Sequence, residues 1–381
     1  MKKAFYVGTI ALLLILAGAR QSSAAVALLM EEPYGELGQF DPAGHSAVYL
    51  NHICAETPTQ LRMCRPGELG VVLSRYHKIH KEDWTAMPMV AYLYSVDDVS
   101  AVPATATKVE VAQLRETYWR QHLQELAPPR PDGSVPKGEW TQLVGASYDR
   151  QIHGFQFETT AEEDERFIDL FNDRRNVGHF NAVVHNCADF TRVVLDVYLP
   201  HSIHRNFIAD LGITTPKQVA KSLVNYSKKH PELKMSAFVI LQVPGDSPRS
   251  HEVDGVDESL VKSKKYLLPL IVLSPPLAGG IVVGYLSEGR MKLPKDATVF
   301  EIGDLESEEA SATPPDAQPA PTARRPLSAA VEPAPPAPVA AQPVPVATPP
   351  VPVATPPAPA IAPPAPATTP PAPAVAPTVP Q

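Results

Sequence analysis

The sequence predicts an α+β protein, and three observations carry that prediction. Short stretches rich in β-branched and aromatic residues lie early in the chain. Longer stretches with apolar residues at helical spacing dominate the second half. Both kinds fall between about residues 28 and 265, so they share one foldable region. A region of that length is enough for a single domain with a sizeable core and an insertion.

The elements follow in order. Residues 44–54, GHSAVYLNHIC, alternate in character and read as a strand, as do 69–76 (LGVVLSRY) and 90–96 (VAYLYSV). Residues 109–126 place Val111, Leu114, Tyr118 and Leu123 at helical spacing, ended by Pro128 and Pro129. Residues 153–158 form a short alternating strand. Thr160 with Glu163 three positions on is a capping box, opening a helix that runs to about Asp173. Asn186 caps the next helix, in which Phe190, Val193, Val194 and Val197 make one face. Thr215 followed by Pro216 starts a helix to about Lys229. Residues 238–243 (FVILQV) read as a last strand.

The flanks have a different character. Lys2 and Lys3 precede an apolar run over residues 4–19 and a small-residue stretch, the layout of a signal peptide spanning residues 1–25 and cut after Ala24 or Ala25. This predicts export to the periplasm or cell envelope. Residues 266–286 hold no charge, are bracketed by lysines, and have the length of one bilayer crossing, so they are a candidate transmembrane anchor despite Pro269, Pro275 and Pro276. Residues 300–312 are acidic and read as a linker. From Thr313 onward the chain is mostly Pro, Ala, Val and Thr, with VPVATPP repeated at 344–350 and 351–357. Proline removes the backbone donor and fixes φ, so a disordered or polyproline-type tail over residues 313–381 is expected, in contact with envelope components.

Charge and cysteines narrow the function. A formal net charge of −8 and no basic stripe exclude nucleic acid as the expected partner. His52, Cys54, Cys64, His77 and His80 cluster in sequence, but without a zinc spacing, so neither a metal nor another cofactor is expected. In an oxidising compartment Cys54 and Cys64 are candidates for a disulfide, which leaves Cys187 as the odd cysteine.

Cys187 sits where chemistry is favoured. The first turn of a helix has unpaired N–H groups and the positive end of the macrodipole, and both stabilise a thiolate and an oxyanion. Asn186 is the cap and a candidate oxyanion contributor; Asp189 is a first-turn acid. A base is also needed. His179 and His185 are close in sequence, and His45 opens the first core strand, 142 residues before the cysteine.

The blocks GHSAVYL (44–50) and HNCADF (185–190) resemble the circularly permuted NlpC/P60, papain-like superfamily, in its lecithin:retinol acyltransferase-like branch. The two blocks cover about 30 residues, and the foldable region also resembles exported bacterial proteins. The resemblance implies a papain-like antiparallel sheet with the cysteine at a helix N-terminus, Cys187 as nucleophile and His45 as base. The family orients its histidine with a third polar residue. No histidine here matches it; the candidates are Glu56, Asn51, His52 and Glu68, with Glu56 first. The implied activity is hydrolysis or acyl transfer through a thioester, on a cell-wall peptide amide or a lipid acyl ester. The competing reading is a binding module or envelope anchor on the same fold, with the tail as a spacer.

Overall fold

The computed structural model describes residues 24–35, 43–77, 79, 81–294 and 296–312. The expected signal peptide up to residue 23, the tail from residue 313 and His80 lie outside the described residues. The elements run β1 (Ala25–Glu31), β2 (His45–Leu50), β3 (Ile53–Thr57), β4 (Gln60–Met63), β5 (Val71–Ser74) and β6 (Thr85–Pro88). Then come α1 (Met89–Tyr94), α2 (Lys108–Tyr118), α3 (Ala146–Asp149), β7 (Ile152–Glu158), α4 (Ala161–Asp173), α5 (Cys187–Tyr198), α6 (Pro216–Lys229) and β8 (Ser236–Ile240). Last are α7 (Val256–Lys262), α8 (Lys264–Leu273), α9 (Pro275–Gly284), β9 (Thr298–Phe300) and α10 (Ile302–Ala312).

Among the described residues seven strands form one sheet in the order β6-β5-β2-β1-β7-β8-β9, antiparallel throughout except for the parallel β8–β9 pair. The α+β class stands. Strand alternation gives the sheet two covered faces. Ala27, Leu29, Ala47, Tyr49 and Val72 pack toward α1 and α2, with Tyr92 and Trp119. Val26, Leu28, Met30, Val48, Leu50 and Leu73 pack toward α4, α5 and α6, with Phe167, Phe190 and Leu223.

Several sequence expectations need correction. β1 is central in the sheet, yet its sequence AVALLME is buried on both sides and shows no alternation, so the sheet already includes residues 25–27, ahead of the expected start near residue 28. The 44–54 strand breaks at a turn over Asn51 and His52 into β2 and β3, and β3 pairs with β4 as a separate hairpin. Residues 90–96 are not a strand: α1 starts after Pro88 and all six of its residues are buried, so neither period showed. On α5 the buried set includes Cys187, Phe190, Thr191, Val194, Leu195 and Tyr198, and Val193 is turned outward.

The C-terminal boundary also moves. Residues 266–286 break at Ser274 into α8 and α9, ten residues each, and no described helix is long and apolar enough to cross a membrane. Each helix is about 15 Å long, half of a bilayer core of about 30 Å. Residues 300–312 are not a linker. β9 pairs with β8, Leu305 is fully buried, and the Tyr49 hydroxyl donates to Glu308 at 3.0 Å.

Candidate functional site at the start of helix α5

A closed set of hydrogen bonds builds the start of α5. Asn186 Oδ1 accepts from the Asp189 N–H at 2.9 Å, and the Asp189 carboxylate accepts from the Asn186 N–H at 3.3 Å. This is a capping box, and it satisfies donors that a helix start otherwise leaves unpaired. The Asn186 amide donates to the carbonyls of Ala182 at 3.0 Å and Thr214 at 2.9 Å. Both of its hydrogens are spent on structure, so Asn186 acts as cap and strut, and its side chain has no donor left for an oxyanion. Asp189 Oδ1 accepts from the Thr214 hydroxyl at 2.6 Å and from Arg205 at 2.7 Å, which makes it a brace.

Cys187 is the first helical residue, buried, and outside the disulfide. Arg75 follows β5 and reaches across to the start of that helix. Its guanidinium donates to the Asn186 carbonyl at 3.2 Å, lies 5.0 Å from the Phe190 ring centroid, and pairs with Asp83 at 2.5 Å. Asp83 also meets His185 Nε2 at 3.0 Å. The first turn of α5 therefore has a buried cation beside it, and that cation's own counter-charge orients a histidine.

His45 reaches the same rim of the sheet. The Ser46 and Thr191 hydroxyls meet at 3.2 Å. Thr191 spends its hydrogen on the Ala188 carbonyl at 3.0 Å, so Ser46 is the donor between them. Thr191 lies one turn after Cys187, and Ser46 one residue after His45. β2 begins where β5 ends, and the tip of α5 stands over that edge, held by Arg75.

Alternation sends the His45 ring to the face opposite Ser46. There it stacks on Tyr76, with centroids 4.2 Å apart and planes 10° from parallel. Its ladder partner is Glu31, which is fully buried. Glu31 accepts from the Tyr92 hydroxyl and pairs with Arg150 at 3.0 Å; the Tyr92 and Tyr76 hydroxyls meet at 3.2 Å. Burial pushes the His45 imidazole well below its ordinary pKa, and the Arg150 charge adds to the effect. Burial pushes Glu31 upward, against the opposing pull of Arg150 and Tyr92. His45 Nε2 is buried without a hydrogen-bond partner among the described residues.

The expected third residue is elsewhere. Glu56 is half exposed on the β3–β4 hairpin and pairs with Arg62 at 2.6 Å. Glu68 pairs with the same arginine at 2.6 Å, and Asn51 accepts the Ala25 N–H at 2.7 Å. His52 lies in the turn before that hairpin, its carbonyl bonded to Cys64. The groups beside His45 are Glu31 and Tyr76. A carboxylate ending an apolar run, AVALLMEE, was the available signal for Glu31, and it was hidden because that run reads as the end of a leader. Cys54 and Cys64 are joined by a disulfide, so the Cys54, Cys64 and Glu68 group is not a free ligand set. His77 packs on Phe180 with centroids 5.5 Å apart.

No family model matches the chain, and no curated protein matches it. Among solved structures it is similar to the crystal structure of a type VI secretion system effector, TseH, at 12% identity, over 56% of this chain and 97% of that one, with a TM-score of 0.25. The fold assignment stands on the strand order and helix packing above.

Proposed function

We propose that the protein is a thiol hydrolase or acyltransferase, with Cys187 as nucleophile and His45 as base. The observation that carries this reading is the buried, unpartnered Nε2 of a histidine held neutral at the start of β2, the strand whose next residue, Ser46, bonds α5 one turn after the cysteine. A neutral imidazole is the form that accepts a proton. In the proposed reaction His45 takes the thiol proton as sulfur attacks the carbonyl carbon. N–H groups at the start of α5 that the Asn186 cap does not take stabilise the oxyanion. The tetrahedral intermediate expels an amine or alkoxide, which takes the proton from His45, and a thioester remains. Water or an acceptor nucleophile then releases the acyl group. The substrate class is an amide or ester of the cell envelope, in keeping with the leader-like residues 1–25.

A second base is favoured by one contact. His185 is two residues from Cys187, and Asp83 orients its ring, the base-and-orienter arrangement of nucleophilic enzymes. Iodoacetamide labelling of Cys187 from pH 5 to 9 separates the readings, with Cys187→Ala as blank. If His45 is the base, His45→Ala slows labelling and turnover of peptide and acyl-ester probes, whereas His185→Ala leaves both near the parent rate. The reverse pattern assigns the role to His185. Labelling that neither substitution changes, without turnover of any probe, replaces the enzyme with a binding module.

A further inference from the structure

The chain leaves α7 at Ser263 and comes back to it at the end of α9. Gly284 lies against Asp257, and the Tyr285 hydroxyl meets Glu258 at 3.5 Å. Between these points α8 and α9 make an excursion in which α9 buries Ala278, Ile281 and Gly284 on its inner side and the outer side of both helices is bare. No residue of α8 is buried. Val272 is 80% and Leu273 83% exposed, and Leu268, Leu277 and Val283 are also exposed. Water-facing monomers seldom leave an apolar surface of this kind uncovered.

Two features identify what covers it. The first is charge. Lys264 and Lys265 stand at the outgoing foot and Arg290 and Lys292 just after the returning one, and none of the four has an acidic partner among the described residues. Cations at the feet of an apolar projection suit an anionic headgroup layer. The second is the tip. Ser274 N–H bonds Leu270 O at 2.8 Å and Ala278 N–H bonds Ser274 O at 3.0 Å. Pro275 and Pro276 have no N–H, so the turn exposes fewer unpaired donors than an ordinary helix start. That lowers the cost of placing it in hydrocarbon. Each arm is about 15 Å long, the depth of one leaflet.

We propose that α8 and α9 form a hairpin that dips into one leaflet of an anionic bilayer and docks the protein on its surface without crossing it. Ile208 packs beside Gly284, and Phe207 next to it is 74% exposed, so that loop extends the contact at the foot. The inference rests on this surface alone and is independent of the thiol chemistry.

The test uses the full chain carrying Leu273→Trp, mixed with phosphatidylglycerol–phosphatidylcholine vesicles. The native Trp84, Trp119 and Trp140 are buried, so a lipid-dependent change reports the added indole. The readout is local to the hairpin, and lipid binding by residues 4–19 does not mimic it. The expected result is a blue-shifted emission that chain-brominated lipid quenches. It is lost in pure phosphatidylcholine, and Lys264→Glu with Lys265→Glu raises the lipid needed by roughly tenfold or more. An emission unchanged by vesicles overturns the proposal. So does a blue shift that follows protein concentration, without quenching and with doubling of the mass, since a second copy then covers the surface.

Discussion

His45 lies directly opposite Glu31 across the β1–β2 ladder, and between them they hold the buried polar cluster on one side of the sheet. Glu31 compensates the buried Arg150 charge and accepts from Tyr92. Glu31→Gln keeps the shape and leaves Arg150 without its counter-charge. Breaking a buried pair from one side costs about 3–5 kcal/mol. The urea midpoint at pH 7 should drop accordingly, and a change within measurement error would show that Arg150 has another counter-charge.

The depressed pKa of His45 has a signed consequence for stability. Its folded pKa lies below 6.5, so the unfolded chain binds the extra proton first as pH falls. Stability is therefore full above about pH 6.5 and declines below it toward the folded pKa. Glu31, raised above its usual value, acts with the opposite sign. His45→Phe preserves the stack on Tyr76 and removes the titration. Comparison of urea unfolding at pH 7.5 and pH 5.5 should show a smaller loss in the variant than in the parent.

Asn186 has a role that alanine exposes. Asn186→Ala removes the cap on Asp189 N–H and leaves the Ala182 and Thr214 carbonyls without their donor. A cap contributes about 1 kcal/mol and the buried, orphaned Thr214 carbonyl about 1–3 kcal/mol, while Ala182 is exposed and water replaces its donor, so a total loss of about 2–4 kcal/mol is expected. Asn186→Asp keeps the cap and should fall between parent and alanine. Thermal unfolding of the three proteins checks the order.

Asp164 is buried behind Tyr198, and burial pushes its carboxyl up to about 6. Its folded form holds a proton that the unfolded form has released, so its contribution is present at low pH and lost as pH rises through about 6. Asp164→Asn should raise stability at pH 8, by on the order of 1–3 kcal/mol, and much less at pH 4. An equal gain at both pH values would assign the effect to packing instead of the proton.

Local chemistry was legible along the chain where a signal is carried by neighbours in sequence. The Thr160–Glu163, Asn186–Asp189 and Thr215–Pro216 starts all lie within one helical turn, and each helix begins where those residues say. α4 ends at Asp173 and α6 at Lys229, as their spacing predicts. Cys187 at a helix start and His45 at a strand start were readable for the same reason. Tertiary structure decided what depends on both faces being covered. β1 and α1 are buried all round, so neither period reached the sequence. Glu31 became the neighbour of His45 only through strand register, and Arg75 met Asn186 across 111 residues of chain. Apolar length alone could not distinguish a spanning helix from two short ones, because the break lies in the backbone at Ser274, where the helix ends and two prolines restart it. Propensity and capping act over a few residues, whereas burial and pairing are properties of the assembled sheet, and those placed the groups around the candidate site.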